Sequence, residues 1–221
     1  MISRLVPQGG IVFDVGAHAG QFTKLFARYV GAGQVYAFEP GSYARAILRT
    51  VVALRRLSNV AIMPIALGSN TAAVTLTMPR KASGAFGFGL AHLGPPELRW
   101  DEVAEETVMQ STLDSVVAAL ALDRLDFIKV DIEGWELHLL RGAKETIRRF
   151  RPRLLIELAP DHLARAGDRV DDLFAFLAER DYRAFEYVAG DRLREVAGPQ
   201  AGDLWFISAT DPVIGGLPLA A

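Results

Sequence analysis

The chain contains no cysteine among its 221 residues, which excludes disulfides, thiolate metal sites and cysteine nucleophiles. It has no run close to the roughly 18 consecutive apolar residues that a membrane-spanning helix needs. Its first ten residues lack the apolar core of a secretory signal. From these absences we expect an untargeted protein of the cytoplasm that has no membrane partner.

The chain also has little net charge. Its 24 basic and 26 acidic residues give a formal charge of −2, so it has no global basic field for a polyphosphate backbone. Nucleic acid is therefore not an expected partner. Hydrophobic residues make up 51% of the chain, which is enough for a sizeable core, and the length fits one domain better than two. We predict a single domain over residues 1–210 and a flexible tail over 211–221.

Short β-branched runs alternate with stretches of helical period, a pattern typical of βαβ units around a parallel sheet. Strands are predicted at 11–17, 34–40, 59–68, 124–132, 151–160, 182–188 and 203–209, with 73–79 as an extra strand beside the third. Helices are predicted at 21–30, 42–56, 112–122, 135–149 and near 170–180. Residues 80–106 hold four glycines and two prolines without a sustained period, which predicts a lid or substrate loop.

Acidic residues stand at the ends of several predicted strands. They are Asp14, Glu39, Asp131, Glu133 and Glu157. In a doubly wound sheet, ligands bind in the crevice at the carboxyl ends of the strands. A single acid at such a place is explained equally well as a helix cap. Five acids at one edge predict a binding site there.

The first strand runs into a loop of the form D-x-G-x-x-x-G, made by Asp14, Gly16 and Gly20. This spacing differs from the G-x-G-x-x-G of dinucleotide sites, and no Lys-Ser/Thr pair follows Gly20 as a P-loop requires. The glycines let the backbone approach a ligand, while the Asp14 carboxylate favours a positively charged nucleoside such as S-adenosylmethionine. Glu39 supports a nucleoside as well, because a carboxylate at that strand end accepts hydrogen bonds from ribose hydroxyls.

Five segments together resemble the FkbM family of S-adenosylmethionine-dependent methyltransferases. They are "FDVGAHAG", "YAFEP", "NVAIMPIALG", "STLDS" and "DFIKVDIEGWELHLLRGA", within residues 11–160. The most specific part is the run of Lys129, Asp131, Glu133 and Gly134. The resemblance implies a Rossmann-like class I methyltransferase fold. That fold is a three-layer αβα sandwich with a mostly parallel seven-stranded sheet and an antiparallel last strand.

The resemblance also implies positions for the cofactor, S-adenosyl-L-methionine. The residues expected around its methionine part are Asp14, Gly16, Ala17, His18 and Gly20, with Asp131 near the methyl or amino group. Those expected at the ribose are Glu39 and Pro40, and those near the adenine are Ala66 and Leu67. His18 stands where the family commonly has asparagine, and imidazole is bulkier and titratable. Its hydrogen bond to the cofactor or the loop is therefore left open.

Methyl transfer requires the nucleophile to be aligned with the methyl carbon and, for a hydroxyl, removal of a proton. Asp131 and Glu133 are alternate residues at a strand end, so both can face the crevice. We expect Asp131 to be a positioner, Glu133 or Glu157 to be the base, and Lys129 to be a structural partner of these acids.

Three alternatives stay open at this point. Asp131 with Glu157 resembles the carboxylates of magnesium-dependent catechol-type methyltransferases, but Leu158 stands where an asparagine would complete that pattern. We therefore predict no metal. The expected reaction is O-methylation of a small molecule, natural product or glycan, with N-methylation or a nonenzymatic cofactor-binding or assembly module as alternatives. A homodimer also remains open, since substrate choice depends on the loop and on subunit contacts.

Overall fold

The structure, a computed structural model, describes residues 2–79, 91–93, 103–190 and 192–220. The strands are β1 (Ile11–Val15), β2 (Gln34–Phe38), β3 (Val60–Met63), β4 (Ala66–Leu67), β5 (Ala72–Pro79), β6 (His92–Leu93), β7 (Val103–Ser111), β8 (Phe127–Val130), β9 (Arg153–Leu158), β10 (Tyr182–Val188), β11 (Arg192–Glu195) and β12 (Gly202–Ser208). The α-helices are α1 (Ile2–Leu5), α2 (Gln21–Val30), α3 (Ser42–Leu54), α4 (Leu113–Ala119), α5 (Glu136–Arg141), α6 (Lys144–Phe150), α7 (Pro160–Arg165) and α8 (Val170–Ala178). A 3-10 helix covers Pro212–Gly216.

The main sheet has the strand order β11-β10-β12-β9-β8-β1-β2-β3. Strands β9, β8, β1, β2 and β3 are mutually parallel, while β12 runs antiparallel to both of its neighbours. This confirms the mostly parallel fold with an antiparallel last strand. The sheet holds eight strands instead of seven, because β11 pairs with β10 at the edge. Strand order reverses between β1 and β8, so the crevice expected for a ligand opens there.

Alternate residues of the central strands enter separate cores on the two faces of the sheet. Phe13 and Ile128 pack with the buried residues of α4, α5 and α8 in one cluster. Val12 and Phe127 pack with α1 and α2 in the other, where the rings of Phe26 and Phe127 lie 5.4 Å apart. Side chains of a strand alternate between faces, and both faces are covered here, which explains why β1 and β8 are nearly continuous apolar runs.

A second, smaller sheet with the order β4-β7-β5-β6 corrects three sequence predictions. The strand predicted at 59–68 is two strands in different sheets, because Pro64 lacks the N–H needed to continue the ladder after β3. The extra strand predicted beside the third pairs with β7 instead. Residues 103–106, predicted to be loop, begin β7. The rest of the predicted lid covers residues 80–102. Of these, 80–90 and 94–102 lie outside the described residues, and 91–93 include β6.

The predicted helix over 135–149 is interrupted at Gly142, which separates α5 from α6. A Cβ at Gly142 would lie 2.0 Å from the carbonyl oxygen of Gly68, so the chain meets the end of β4 at this point. In the predicted tail, the N–H of Ala220 donates to the carbonyl of Leu193 at 2.8 Å, and the flexibility of the tail stays a prediction. Among the helices of the described ranges, none has the length and apolar character to cross a bilayer.

Candidate active site

A cavity of about 450 Å³ lies at the carboxyl ends of β1, β2, β8 and β9. Its volume is within the range of roughly 300–1,000 Å³ that is usual for small-molecule sites. The small sheet forms part of its wall through Ala66 and Leu67 of β4, Leu76 of β5, and His92 and Leu93 of β6. The two sheets therefore enclose the crevice between them, and apolar side chains from the small sheet keep water away from part of it.

Most residues predicted to hold the cofactor line this cavity. They are Gly16, Ala17, His18, Glu39, Pro40, Ala66, Leu67 and Asp131. Asp14 and Gly20 are not part of the lining. Asp14 is fully buried, and its Oδ2 accepts a hydrogen bond from the Thr23 hydroxyl at 2.5 Å. A cofactor contact by Asp14 or Gly20 stays a prediction.

Gly16 is required by a contact within the protein. Its φ is 77°, and a Cβ on it would lie 1.8 Å from the backbone oxygen of Asp131. The Asp131 N–H donates to the carbonyl of Val15 at 3.1 Å, which joins the same two strand ends. The sequence analysis explained Gly16 by the close approach of a ligand. In the structure, the atom that leaves no room for a side chain at Gly16 belongs to Asp131, at the end of the neighbouring strand.

Glu39 connects the loop that follows β1 to the residue that precedes α3. Its Oε2 accepts the N–H of His18 and its Oε1 accepts the N–H of Gly41, both at 2.9 Å. Burial raises the pKa of Glu39 to about 6, although the two N–H groups favour the carboxylate. Each carboxylate oxygen can accept a second hydrogen bond, so Glu39 remains able to bind ribose hydroxyls.

The three predicted catalytic acids also line the cavity. Ile156 pairs with Val130, which places Glu157 of β9 beside Asp131 at the end of β8. Lys129 is 5% exposed and its Nζ lies 2.7 Å from Asp131 Oδ2. Lys129 is thus a structural partner of this acid, as the sequence predicted. Asp203, which the sequence interpretation missed, pairs with Glu157 across β9 and β12 and extends the acidic row.

Burial and the charge of Asp131 raise the proton affinity of both Glu157 and Glu133. Burial, followed by the negative charge of Asp131, raises the pKa of Glu157 to about 7. Burial and the charges of Asp131 and Glu157 raise the pKa of Glu133 to about 7 as well. A carboxylate that titrates close to neutral pH is well matched to accepting a proton during catalysis.

The backbone around Glu133 is held in an uncommon conformation. Glu133 has a φ of 54° and Gly134 a φ of 105°, and a Cβ on Gly134 would lie 2.2 Å from the backbone oxygen of His162. Glu136 Oε1 accepts the N–H groups of Ile132 at 3.3 Å and Gly134 at 3.1 Å. The sequence interpretation missed this buried glutamate. The sequence feature that could have indicated Glu136 is its place at the first position of α5, the helix that follows Gly134.

His162 lies in α7, a helix that the sequence analysis did not predict. Its Nδ1 lies 2.6 Å from Glu133 Oε2. The guanidinium of Arg165 in the same helix donates to the backbone oxygen of Glu133. The sequence gives no sign of these contacts, because they depend on how α7 packs against the residues that follow β8.

The cavity suits a cationic nucleoside. Four of its side chains are carboxylates, from Glu39, Asp131, Glu133 and Glu157, and its lining lysine is already paired with Asp131. Among the described residues, the buried Asp14 Oδ1 has no hydrogen-bond partner, and it immediately precedes the lining residues. An orphaned carboxylate oxygen next to an acidic cavity favours a ligand with positive charge and N–H donors.

Residues 14–184 match the family model of the "Methyltransferase FkbM domain". The chain belongs to the FkbM methyltransferase family. Membership in this family implies S-adenosylmethionine as the methyl donor, which agrees with the charge of the cavity. The matched range includes every predicted site residue from Asp14 to Glu157.

Three proteins similar to this chain are between 10% and 25% identical to it over the regions that match. Methyltransferase sdnD of Sordaria araneosa is 25% identical over 162 residues, which cover 63% of this chain and 62% of that protein. The structure of Methyltransferase FkbM from Methylobacillus flagellatus is 21% identical with a TM-score of 0.57, and the match covers 90% of this chain and 43% of that chain. A Streptococcus mutans protein solved in complex with SAH is 10% identical with a TM-score of 0.53 over 93% of this chain and 92% of that chain. The two structures show the shared fold.

No metal cluster is evident in the described part of the chain, where no three histidine or acidic side chains are grouped to hold an ion. The question of a magnesium requirement therefore rests on Asp131 and Glu157 alone, and the metal-free reaction stays a prediction. Chelation of divalent metal ions tests the prediction of a metal-free reaction.

Proposed function

We propose that this protein transfers the methyl group of S-adenosylmethionine to a hydroxyl of a small molecule, natural product or glycan. The observation that carries the proposal is the pair Glu133 and Glu157, two acids with pKa values of about 7 on the wall of one cavity. A hydroxyl acceptor must lose a proton during methyl transfer, and such a group is suited to receive it.

The strand order separates the cofactor end from the acceptor end of the cavity. Glu39 follows β2 and Glu157 lies in β9, with β1 and β8 between them. Three strand spacings amount to about 14 Å. We assign the β1 and β2 end to the nucleoside and the β8 and β9 end to the acceptor, with Asp131 between them.

The bound cofactor supplies a methyl carbon that is already activated by a sulfonium. Glu39 holds the ribose, and Asp131, fixed by Lys129, places negative charge beside the positively charged part of the cofactor. Glu133 or Glu157 then accepts the proton of the acceptor hydroxyl. Apolar residues from the small sheet, Leu76 and Leu93, limit access of water to the reacting groups.

Two other functions use the same cavity. An N-methyltransferase needs less help from a base if the amine arrives neutral, so the paired acids favour a hydroxyl acceptor. A nonenzymatic cofactor-binding or assembly module would bind the cofactor and release no S-adenosylhomocysteine with any acceptor. Measuring that product over a panel of phenols, sugars and amines separates the three functions.

The first prediction concerns the cofactor. S-adenosylhomocysteine at 100 times its Kd should raise the melting temperature by about 5–10 °C, because ligand binding at that excess stabilises the folded state by about 2.7 kcal/mol. NAD should cause no shift, since its pyrophosphate would meet an acidic cavity. Differential scanning fluorimetry with each ligand provides the measurement.

The control for this prediction is a pair of glutamate variants. Glu39→Gln should weaken S-adenosylhomocysteine binding about 10-fold or more, because the ribose loses a charged acceptor worth about 1.5–3 kcal/mol. Glu145→Gln, on the exposed face of α6 and outside the cavity, should leave the affinity unchanged. Stabilisation by NAD alone would contradict the proposed cofactor site.

The second prediction concerns metal. Turnover should survive exhaustive chelation, because Leu158 supplies no oxygen ligand beside Glu157 and Lys129 already neutralises Asp131. The measurement is the rate of S-adenosylhomocysteine release before and after EDTA treatment. Loss of activity that magnesium restores would contradict it, and would make Asp131 and Glu157 metal ligands.

A further inference from the structure

We propose that His162 is a positioning residue for methyl transfer, whose imidazole holds one oxygen of Glu133 so that the other receives the proton of the acceptor hydroxyl. The inference rests on the proposed function, since it gives Glu133 the part of the base. It concerns a residue that lies outside the cavity lining and acts through one that lies in it.

The contact between the two side chains is short and partly shielded from water. His162 Nδ1 lies 2.6 Å from Glu133 Oε2, and the side chains are 26% and 20% exposed. Glu133 lines the cavity, whereas His162 is not one of the lining residues. A donor fixed to Oε2 leaves Oε1 as the free acceptor, which selects one orientation of the carboxylate.

The helix α7 contacts Glu133 at two points and the following residue, Gly134, at a third. His162 contacts the side chain, Arg165 donates to the backbone oxygen, and the backbone of His162 packs against Gly134. Glu133 has a φ of 54°, a left-handed conformation that is unfavourable for residues other than glycine. Such strain persists where neighbouring contacts determine it, and it commonly marks functional positions. Because α7 begins two residues after β9, the strand that carries Glu157 also places His162.

The charges that face Glu133 explain why a donor is needed there. Burial raises the pKa of Glu133 to about 7, the charges of Asp131, Glu157 and Glu136 add to this rise, and Arg165 opposes it. A hydrogen bond from His162 favours the ionised form of Glu133. Without that donor the pKa of Glu133 would rise further, and less of the enzyme would hold an ionised base at neutral pH.

In the proposed step, the acceptor oxygen forms a bond to the methyl carbon while the bond from that carbon to sulfur breaks and its electron pair stays on sulfur. The hydroxyl proton passes to Glu133 Oε1. His162 exchanges no proton with the acceptor, and its part is to fix Oε2 and favour the carboxylate before the step.

The test measures Glu133 directly and needs no acceptor. The side-chain carboxyl carbon of Glu133 is followed by NMR in the full chain labelled with ¹³C-glutamate, with Glu133→Gln to assign the signal. In His162→Ala the pKa of Glu133 should rise by about 1 pH unit or more. His162→Asn should restore most of the original value, because its amide N–H can replace Nδ1–H as the donor.

His138→Asn is the matched control, since His138 stacks on Trp135 at 4.0 Å and is not part of the cavity lining. It should leave the titration of Glu133 unchanged. A Glu133 titration in His162→Ala that matches the unsubstituted protein would overturn the proposal. Thermal unfolding of each variant shows whether it is folded before the titration is interpreted.

A second arm uses whichever acceptor of the panel gives turnover with the unsubstituted enzyme. His162→Ala should move the acidic limb of kcat upward by about 1 pH unit and lower kcat at pH 7 about 5-fold. A merely structural role would lower kcat equally at every pH, and that result would overturn the proposal. If no acceptor is turned over, the proposed function fails, whereas the NMR titration still decides whether His162 controls Glu133.

Discussion

Replacing Glu133 with glutamine should lower turnover about 100-fold or more and leave the affinity for S-adenosylhomocysteine nearly unchanged. Glutamine keeps the size of the side chain and removes the base. The affinity for the cofactor should change little, because the nucleoside is assigned to the β1 and β2 end of the cavity. Turnover is measured with a panel acceptor, and affinity is measured by calorimetry.

The pH dependence of the unsubstituted enzyme follows from the same group. Glu133 must be ionised to accept a proton, and its pKa is about 7, so kcat should rise as pH increases through about 7. Glu157→Gln is the companion variant. A larger loss of turnover in Glu157→Gln than in Glu133→Gln would assign the base to Glu157. A loss of cofactor affinity in either variant that is as large as its loss of turnover would contradict the separation of the cofactor end from the acceptor end.

The edge of the sheet that holds the site was predictable from the sequence. The strands β1, β2, β8 and β9 are short, apolar and bounded by turns, and parallel strands bring their carboxyl ends to one edge. Five acids at strand ends therefore indicated a common site before any contact was known. Four of them line the cavity, and Asp14 is buried beside it.

The small sheet could not be predicted in this way. Its longest pairing joins β5 to β7 across residues 80–102, and no local pattern in the sequence specifies a partner at that distance. The break at Pro64 was a visible signal that the third predicted strand ends early. His92 and Leu93 were likewise hidden in a glycine-rich stretch without a period, although they line the cavity.

The reason for a residue was harder to predict than its position. Gly16 was expected at the site, and it is there, but the atom that excludes a side chain belongs to Asp131 of the neighbouring strand end. Likewise, Glu133 was expected at the site, while the histidine that holds it comes from a helix that the sequence did not predict. Both reasons are tertiary contacts, which neither periodicity nor motif spacing can show.

The last prediction tests the contact between the two strand ends. Gly16→Ala should lower the free energy of unfolding by about 3 kcal/mol or more, because the positive φ alone costs about 1–2 kcal/mol and the backbone must also move. The added Cβ would lie 1.8 Å from the Asp131 carbonyl oxygen and 2.9 Å from its carbonyl carbon. Urea unfolding gives the free energy, and the melting temperature should fall by about 6–12 °C.

Gly9→Ala is the matched control for the backbone conformation. Its φ is 68°, close to the 77° of Gly16, but a Cβ there would meet no atom within 4 Å. It should cost only the conformational strain of about 1–2 kcal/mol. Since Asp131 lies between the proposed cofactor and acceptor ends, its displacement in Gly16→Ala should also abolish binding of S-adenosylhomocysteine, whereas Gly9→Ala should bind normally. Equal destabilisation by the two substitutions would mean that the strand ends separate at little cost, and that Gly16 is needed only for its φ.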